Sequence, residues 1–311
     1  QAILEESHAL SLTTVVGLPL AVEGKLYNCA AVLHRGQLLG IVPKLNLPNY
    51  GEFYEERWFT PAPAEVKTIS LLGQEVPFGS RLLFCCRELP EYKLAVELCE
   101  DLWVASPPSI RHAVAGATVI ANCSASDETI GKAEYRRSLV TGQSARLMAG
   151  YLYADAGRGE STTDMVFAGH DLIAENGKLL AETALFTNDL ILTELDVHRL
   201  FAERRRTTTW PAAETSGYTM VPFSLPMGKT TLTRFIDPHP FVPADDAERR
   251  ERCETILAMQ AEGLRRRLEH IGCPKAVLGI SGGLDSTLAL LVAVRALDLL
   301  GRPRTDMVAV T

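Results

Sequence analysis

Near its C-terminal end the chain sets Ser281-Gly282-Gly283-Leu284-Asp285-Ser286 between the apolar run Ala276 to Ile280 and the apolar stretch Ser286 to Leu300. The run before has the length of a buried strand and the stretch after that of a helix, apolar nearly all round and so expected to be buried; two glycines allow the sharp turn between them. Met307 to Thr311 reads as another strand. Strand, crossover helix and strand make a parallel unit, so this end of the chain is predicted to be α/β. The helix would offer free N–H groups and its positive end to the loop, a ready anion site. Ser281 and Ser286 can donate to phosphate oxygens there, and Asp285 can orient a metal or the loop. No Gly-Lys-Ser/Thr ending follows, which excludes a Walker-type loop, and no Gly-x-Gly-x-x-Gly is present.

Upstream, residues 1–206 alternate strand and helix signals. Leu26 to Leu33 and Leu38 to Val42 form a hairpin pattern; Leu82 to Cys86, Tyr92 to Leu98, Thr118 to Ala121, Tyr151 to Ala154 and Leu190 to Leu195 read as strands. Asn176-Gly177 is a strong hairpin turn between Met165 to Ala174 and Lys178 to Ala181. Ile110 to Ala115 and Gly131 to Gly150 have helical spacing, and Asp196 caps a helix running to about Arg206. Residues 207–246 then break the rhythm. Six of the 17 prolines fall there (Pro211, Pro222, Pro226, Pro238, Pro240, Pro243), which reads as a linker or a loop-rich segment over a domain surface. An amphipathic helix from about Asp246 to His270 leads into the glycine loop. The expected organisation is a first domain over 1–206, a linker over 207–246 and a second domain beginning at 247.

Composition removes several classes of function. The net charge of -7 argues against a nucleic-acid partner, and the clusters Arg204-Arg205-Arg206 and Arg265-Arg266-Arg267 read as solvated helix faces. Seven cysteines without a CxxC pair fit neither a disulfide framework nor a metal knuckle and suit a reducing, cytoplasmic setting. No metal-ligand cluster is read. The stretch Ser286 to Leu300, with Arg295 and Asp298, is too short and charged to cross a membrane, where about 20 apolar residues are needed.

Two constellations in the first domain carry chemistry. One is Val42-Pro43-Lys44-Leu45-Asn46-Leu47-Pro48-Asn49-Tyr50-Gly51-Glu52-Phe53-Tyr54-Glu55, after a strand. The other is Glu97-Leu98-Cys99-Glu100-Asp101-Leu102-Trp103, with Cys99 at a strand's C-terminal end. Strand ends are where α/β architectures assemble sites. A thiolate is a strong nucleophile for amides, and a nearby ammonium lowers its pKa and steadies the oxyanion. The other six cysteines, and histidines such as His112 and His170, are assigned to packing.

These stretches resemble the nitrilase superfamily, whose α-β-β-α sandwich carries a Glu-Lys-Cys triad. The resemblance makes Cys99 the nucleophile, Lys44 the family lysine and Glu55 the auxiliary glutamate. Ser281 to Ser286 resembles the SGGxDS loop of ATP-pyrophosphatases, which cleave ATP between its α- and β-phosphates and whose domain is doubly wound. The two together, with Ser124-Ala125-Ser126, Gly131 to Arg137 and Gly159 to Asp164, resemble the glutamine-dependent NAD synthetase family over essentially the whole chain. Cys123 stands where an aliphatic residue is usual before Ser-Ala-Ser.

That resemblance implies glutamine, ATP with Mg2+, and deamido-NAD as substrates, and a homo-oligomer that channels ammonia. Tyr50, Phe53, Glu100, Ser124 and Ser126 would shape the glutamine pocket. Ser281, Gly282, Gly283, Leu284, Asp285 and Ser286 would hold the ATP phosphates. The family's general base lies well upstream of its lysine, and neither Glu5 and Glu6, in a helix-like segment, nor Glu23, before a hairpin strand, has the expected strand-end setting. A chain opening at Gln1 and stopping on a strand-like run is therefore expected to be a piece of a longer enzyme, lacking that base and the rest of the nucleotide domain, and inactive by itself. A free-standing amidase and a different glutamine-dependent amidotransferase remain alternatives.

Overall fold

The structure, a computed structural model, describes residues 1–160 and 164–311; Ser161, Thr162 and Thr163 of the Gly159 to Asp164 segment lie outside the described residues. The chain divides into two units, Gln1–Arg234 and Phe235–Thr311.

The first unit is built on two sheets. One has five strands in the order β1-β2-β3-β5-β4: β1 (Thr13–Val22), β2 (Lys25–His34), β3 (Gln37–Pro43), β4 (Lys67–Leu71) and β5 (Gln74–Phe78). The other has seven, in the order β11-β10-β9-β8-β7-β6-β12: β6 (Leu82–Cys86), β7 (Lys93–Leu98), β8 (Val119–Ser124), β9 (Gly150–Asp155), β10 (Leu172–Glu175), β11 (Lys178–Glu182) and β12 (Thr219–Phe223). Strands β7, β8 and β9 run parallel, so Leu98, Ser124 and Asp155 end them on the same side.

The period of two along each strand decides where the core sits. Ala30 and Val32 of β2 and Leu39 and Val42 of β3 pack against Leu82 and Phe84 of β6, Leu94, Val96 and Leu98 of β7, and Val119 and Ala121 of β8, forming the layer between the sheets. The alternate residues Leu83, Ala95, Ile120, Tyr151 and Tyr153 face helices α2 (Pro108–Val114) and α3 (Lys132–Leu147), which bring Ala113, Val140 and Leu147. On the far side of the five-stranded sheet, Tyr27, Cys29, Ala31 and Leu33 are joined by Leu4 of α1 (Ala2–Glu6). The layers are those of the nitrilase-like sandwich, with α1 as the helix over that outer face among the described residues.

Several elements differ from the sequence expectation. Residues 207–246 are not all linker: Thr219–Phe223 adds a parallel edge strand beside β6, with Pro222 opposite Cys85. An edge strand tolerates a proline because only one side of it pairs. Leu190 to Leu195 forms no strand; Leu190 and Leu192 are exposed, and Glu194 instead accepts from the backbone of Thr233 and Arg234. Arg204, in α4 (Val197–Arg206), is buried rather than solvated. Its guanidinium donates to the carbonyls of Leu147 and Ala117, closing the C-terminal end of α3, and lies 4.6 Å from the Trp210 ring centre. Asp196 caps α4 as expected, accepting from Arg199 N at 2.9 Å.

The second unit comprises α5 (Asp246–Ile271), β13 (Ala276–Gly279), α6 (Leu284–Leu299) and β14 (Met307–Val310), with β13 and β14 parallel. Leu268 packs on Ala296 and Leu297. Helix α6, expected to be buried all round, buries only Val292, Ala293, Ala296 and Leu297; Leu284, Leu288 and Leu291 are exposed, because α5 and two strands cover a single face.

Gly40 of β3 faces Leu82 and Phe84 of β6. A Cβ there would stand 2.8 Å from Leu82 Cδ1 and 3.0 Å from the Phe84 ring, both of which are fully buried and have nowhere to go. Gly40→Ala is expected to destabilise the first unit by about 1–3 kcal/mol, seen as a lower denaturant midpoint at unchanged slope.

Candidate active site

Strand β3 ends at Pro43 and hands Lys44 into the layer between the sheets, where its side chain is fully shielded from solvent. A lone buried ammonium would be costly. Lys44 Nζ is compensated by both oxygens of Glu55, at 2.8 and 2.7 Å. Glu55 opens a single 3-10 turn, Glu55–Arg57, eleven residues on, and remains partly exposed.

Strand β7 ends at Leu98 and delivers Cys99 at the first position of a 3-10 turn, Cys99–Leu102. Cys99 has φ +43°, left-handed backbone that a side chain rarely adopts. Its N–H donates to Asn122 Oδ1 at 2.9 Å, and its Sγ lies 3.9 Å from the Ala125 carbonyl. The residue as a whole is partly exposed.

Asp101 joins the two pieces. Its carboxylate, buried under the turn, accepts from Leu98 N at 3.1 Å, from Asn46 N and Nδ2 at 2.8 Å each, and weakly from Leu45 N at 3.5 Å. The loop that follows Lys44 is thereby bound to the turn that carries Cys99. Sequence reasoning quoted Asp101 only as part of a motif; its position two residues past the cysteine gave no sign that its partners lie 55 residues away.

Electrostatics set the thiol's state. Burial pushes the Cys99 thiol up, while the Lys44 ammonium and a backbone hydrogen bond at Ala125 pull it down and Glu55 opposes them. Cys29 and Cys123 are raised to about 12 and about 11 by burial, with no cation acting on either, which fits their assignment to packing. All seven cysteines are free.

The residues expected around glutamine fall into two groups. Tyr50, Phe53 and Glu100 form one wall: Tyr50 OH donates to Glu100 Oε1 at 2.7 Å, and its ring meets Phe53 edge-on with centres 6.2 Å apart. Ser124 ends β8 and donates to Asn122 Oδ1 at 2.7 Å. Ser126 is buried; its Oγ accepts from Arg136 and its N–H donates to Asp155, leaving only the hydroxyl proton to offer. Lys132 is a further residue the structure brings here. Its ammonium is paired with Asp127 and stands 5.7 Å from the Phe53 ring centre and 5.6 Å from that of Trp103. Glu5 and Glu23 lie elsewhere, Glu5 accepting from Gln1 and Glu23 paired with exposed Lys67.

Arg136, wholly buried, donates to Glu128 and to His170 Nδ1 as well as to Ser126. A guanidinium cannot accept, so the His170 proton sits on Nε2 and is donated to Glu182 at 2.6 Å. His112 is buried against Tyr218, 2.9 Å from its hydroxyl. Both histidines are structural.

In the second unit the glycine loop turns sharply and opens a helix. Gly282 has φ +83°, and a Cβ there would meet open space. Gly283 precedes α6 without a side-chain cap, leaving the first N–H groups of a sixteen-residue helix available. Ser281 and Ser286 hydroxyls lie 3.2 Å apart across the loop. Leu284 and Asp285 occupy the first turn with their side chains exposed. Among the described residues there is no group of three or more His, Cys, Asp or Glu side chains placed to hold a metal ion. No helix in them is long and apolar enough to cross a membrane.

Comparison with known proteins agrees with both units. The carbon-nitrogen hydrolase pattern matches residues 1–205 and the NAD synthase pattern residues 256–310. Glutamine-dependent NAD(+) synthetases of Mycobacterium tuberculosis and Mycobacterium leprae are 45% and 44% identical, over 99% and 96% of this chain and 47% and 45% of their own. The chain thus spans about half the length of the curated relatives it matches. Among solved structures, a glutamine-dependent NAD(+) synthetase from Cytophaga hutchinsonii aligns with TM-score 0.54 and 25% identity over 97% of this chain and 42% of that one. A carbon-nitrogen hydrolase from Helicobacter pylori G27 shares the fold, with TM-score 0.51 and 17% identity over 66% of this chain and 69% of its own.

The placement of Lys44 has a measurable consequence. Its charge lowers the Cys99 pKa, so Lys44→Met should move the pH profile of Cys99 alkylation by iodoacetamide to higher pH. At about pH 8 the alkylation rate should fall by about 10-fold or more. An unchanged profile would mean that the ammonium does not act on the thiol.

Proposed function

The chain belongs to the carbon-nitrogen hydrolase family, and from that premise we propose that it is the glutaminase and ATP-loop part of a glutamine-hydrolysing NAD synthetase. The observation that carries the reading is the meeting of Lys44, Glu55 and Cys99 at the ends of β3 and β7, tied by Asp101, in a chain that also carries the Ser281 to Ser286 loop.

Cys99 attacks the side-chain amide carbon of glutamine. A thiol raised by burial must give up its proton as it attacks. The proton goes to the family's general-base glutamate, a place neither Glu5 nor Glu23 fills, and from that base to the departing nitrogen, while Glu55 is engaged with Lys44 and steadies it. The Lys44 ammonium faces the charge that develops on the amide oxygen, a contribution of about 10²–10³ in rate. Ammonia leaves and water later releases glutamate. Tyr50, Phe53, Glu100 and Ser124 form the pocket wall, and Lys132 gives it a cation for the substrate's carboxylate. Ser126 supports that wall through Arg136.

In the second unit the N–H groups that open α6, with Ser281, Gly282, Gly283 and Ser286, cradle the phosphates of ATP, and Leu284 begins the helix that supplies them. Mg2+ carried by ATP fits beside Asp285, since this cation usually takes one or two carboxylates and completes its shell with phosphate and water. The nicotinate carboxylate of deamido-NAD attacks the α-phosphate of ATP with release of pyrophosphate, and ammonia displaces AMP from the adenylate to give NAD. Ammonia is lost in bulk water, which favours a homo-oligomer that passes it on internally. The free thiols suit the cytoplasm.

The test uses the full-length protein with glutamine, ATP, Mg2+ and deamido-NAD. NAD and AMP should form in equal amounts. Cys99→Ala should abolish synthesis from glutamine yet keep synthesis from ammonium, whereas Ser286→Ala should impair both. Lys132→Ala should raise the KM for glutamine by about 10-fold or more, as loss of a charged hydrogen bond does. Ammonia release that persists without Cys99, or AMP formation triggered by another acid and not by deamido-NAD, would overturn the proposal.

A further inference from the structure

We infer that Asn122, locked by Tyr151 and Glu97, is a positioning residue that holds the Cys99 nucleophile in its left-handed conformation; the inference rests on Cys99 being the nucleophile, as proposed above. The strand pleat places the three together. Glu97 of β7 lies two residues before the cysteine and is in register with Asn122 of β8, while Tyr151 of β9 faces the same helix-covered side. All three are buried.

With Glu97 ionised, the bonds between them run in one direction. At one end the Cys99 N–H is a fixed donor, so Asn122 must present its carbonyl oxygen, 2.9 Å away. The Asn122 amide then turns its NH2 to Tyr151 OH at 3.1 Å. Having accepted there, the phenol gives its own proton to Glu97 Oε1. At the other end the Ser109 N–H, another fixed donor, takes Glu97 Oε2 at 2.8 Å. Two backbone N–H groups that cannot reverse thus fix every link between them. Ser124 Oγ adds a second donor to the Asn122 oxygen at 2.7 Å.

Without the chain the amide could turn over and set NH2 against N–H at the cysteine, a donor facing a donor. Cys99 would then have no partner for its N–H and no reason to stay at φ +43°. Burial pushes the Glu97 carboxyl up to about 7, and the bonds from Tyr151 and Ser109 oppose this. Those two contacts act toward the ionised form, which accepts from both, while burial acts against it.

The experiment measures glutaminase kinetics in the full-length protein. Tyr151→Phe removes one oxygen and no packing, and should lower kcat about 10-fold, as loss of one directing bond does, with the KM for glutamine changed less than about twofold. Glu97→Gln cannot accept from both Tyr151 and Ser109, so it should match Tyr151→Phe. The double variant should be no slower than either single one, because both break the same chain. The Cys99 alkylation rate should fall in parallel while the thermal midpoint of Tyr151→Phe stays within a few degrees. Wild-type kcat in Tyr151→Phe, a rise in KM at constant kcat, or additive losses in the double variant would overturn the inference. Cys99→Ala is the control: if it is silent, those outcomes bear on the positioning chain alone. If it still releases ammonia, the nucleophile assignment fails and the inference with it.

Discussion

A single buried carboxylate holds the Lys44 and Cys99 segments together. Lys44 leaves the five-stranded sheet and Cys99 leaves the seven-stranded one, so no strand ladder fixes one against the other. Asp101 does so by receiving backbone and side-chain donors from both segments. Two carboxylate oxygens offer about four acceptor positions, and here they are shared between the two sides. Leaving any of these donors buried and unmet costs about 1–3 kcal/mol, so the two loops are held together by avoidance of that penalty as much as by attraction. Burial raises the Asp101 pKa and the donors from Leu98 and Asn46 lower it. The tie therefore has strength only while both loops are in place, which makes it cooperative.

The same economy governs charge. Lys44 has no water to solvate it and takes Glu55 through both oxygens, giving a pair that is neutral as a whole but oriented. Cys99 feels the near end of that pair more than the far end, so the ammonium lowers its pKa while burial raises it. A thiol that remains largely protonated is a poor target for oxidants and a poor nucleophile until its proton is taken.

What could be read from the sequence was local. The strand before Cys99, the strand before Lys44, the Asn176-Gly177 hairpin and the strand-loop-helix at 276–299 all announce themselves within a window of a dozen residues, through the period of two, a turn signal or a glycine pair. What could not be read depended on partners distant along the chain. Thr219–Phe223 sits among prolines and becomes a strand only because β6 offers an edge. Leu190 to Leu195 has the apolar spacing of a strand but finds no sheet to join. Arg204 belongs to a run of three arginines, and nothing local says that one of them points inward to the carbonyls at the end of α3. Asp101 and Lys132 lie inside recognised motifs, yet their roles come from Asn46, Phe53 and Trp103, reached across 29 to 79 positions.

The pleat of the seven-stranded sheet explains how nucleophile and support can share the same strands. Along β7, Leu94, Val96 and Leu98 fill the layer between the sheets, and Ala95 and Glu97 point the other way. Cys99 follows where pairing stops and the backbone is free to turn left-handed. The polar residues beneath it, Glu97, Asn122 and Tyr151, occupy positions that an apolar side chain could fill more cheaply, since each buried polar group costs free energy until it is bonded. Here each group in the chain meets a partner, and the line begins at the Cys99 N–H. A packing role alone would need no such sequence of matched groups. A fixed orientation for the nucleophile's backbone does, because an apolar core fills space but cannot tell an N–H from a carbonyl.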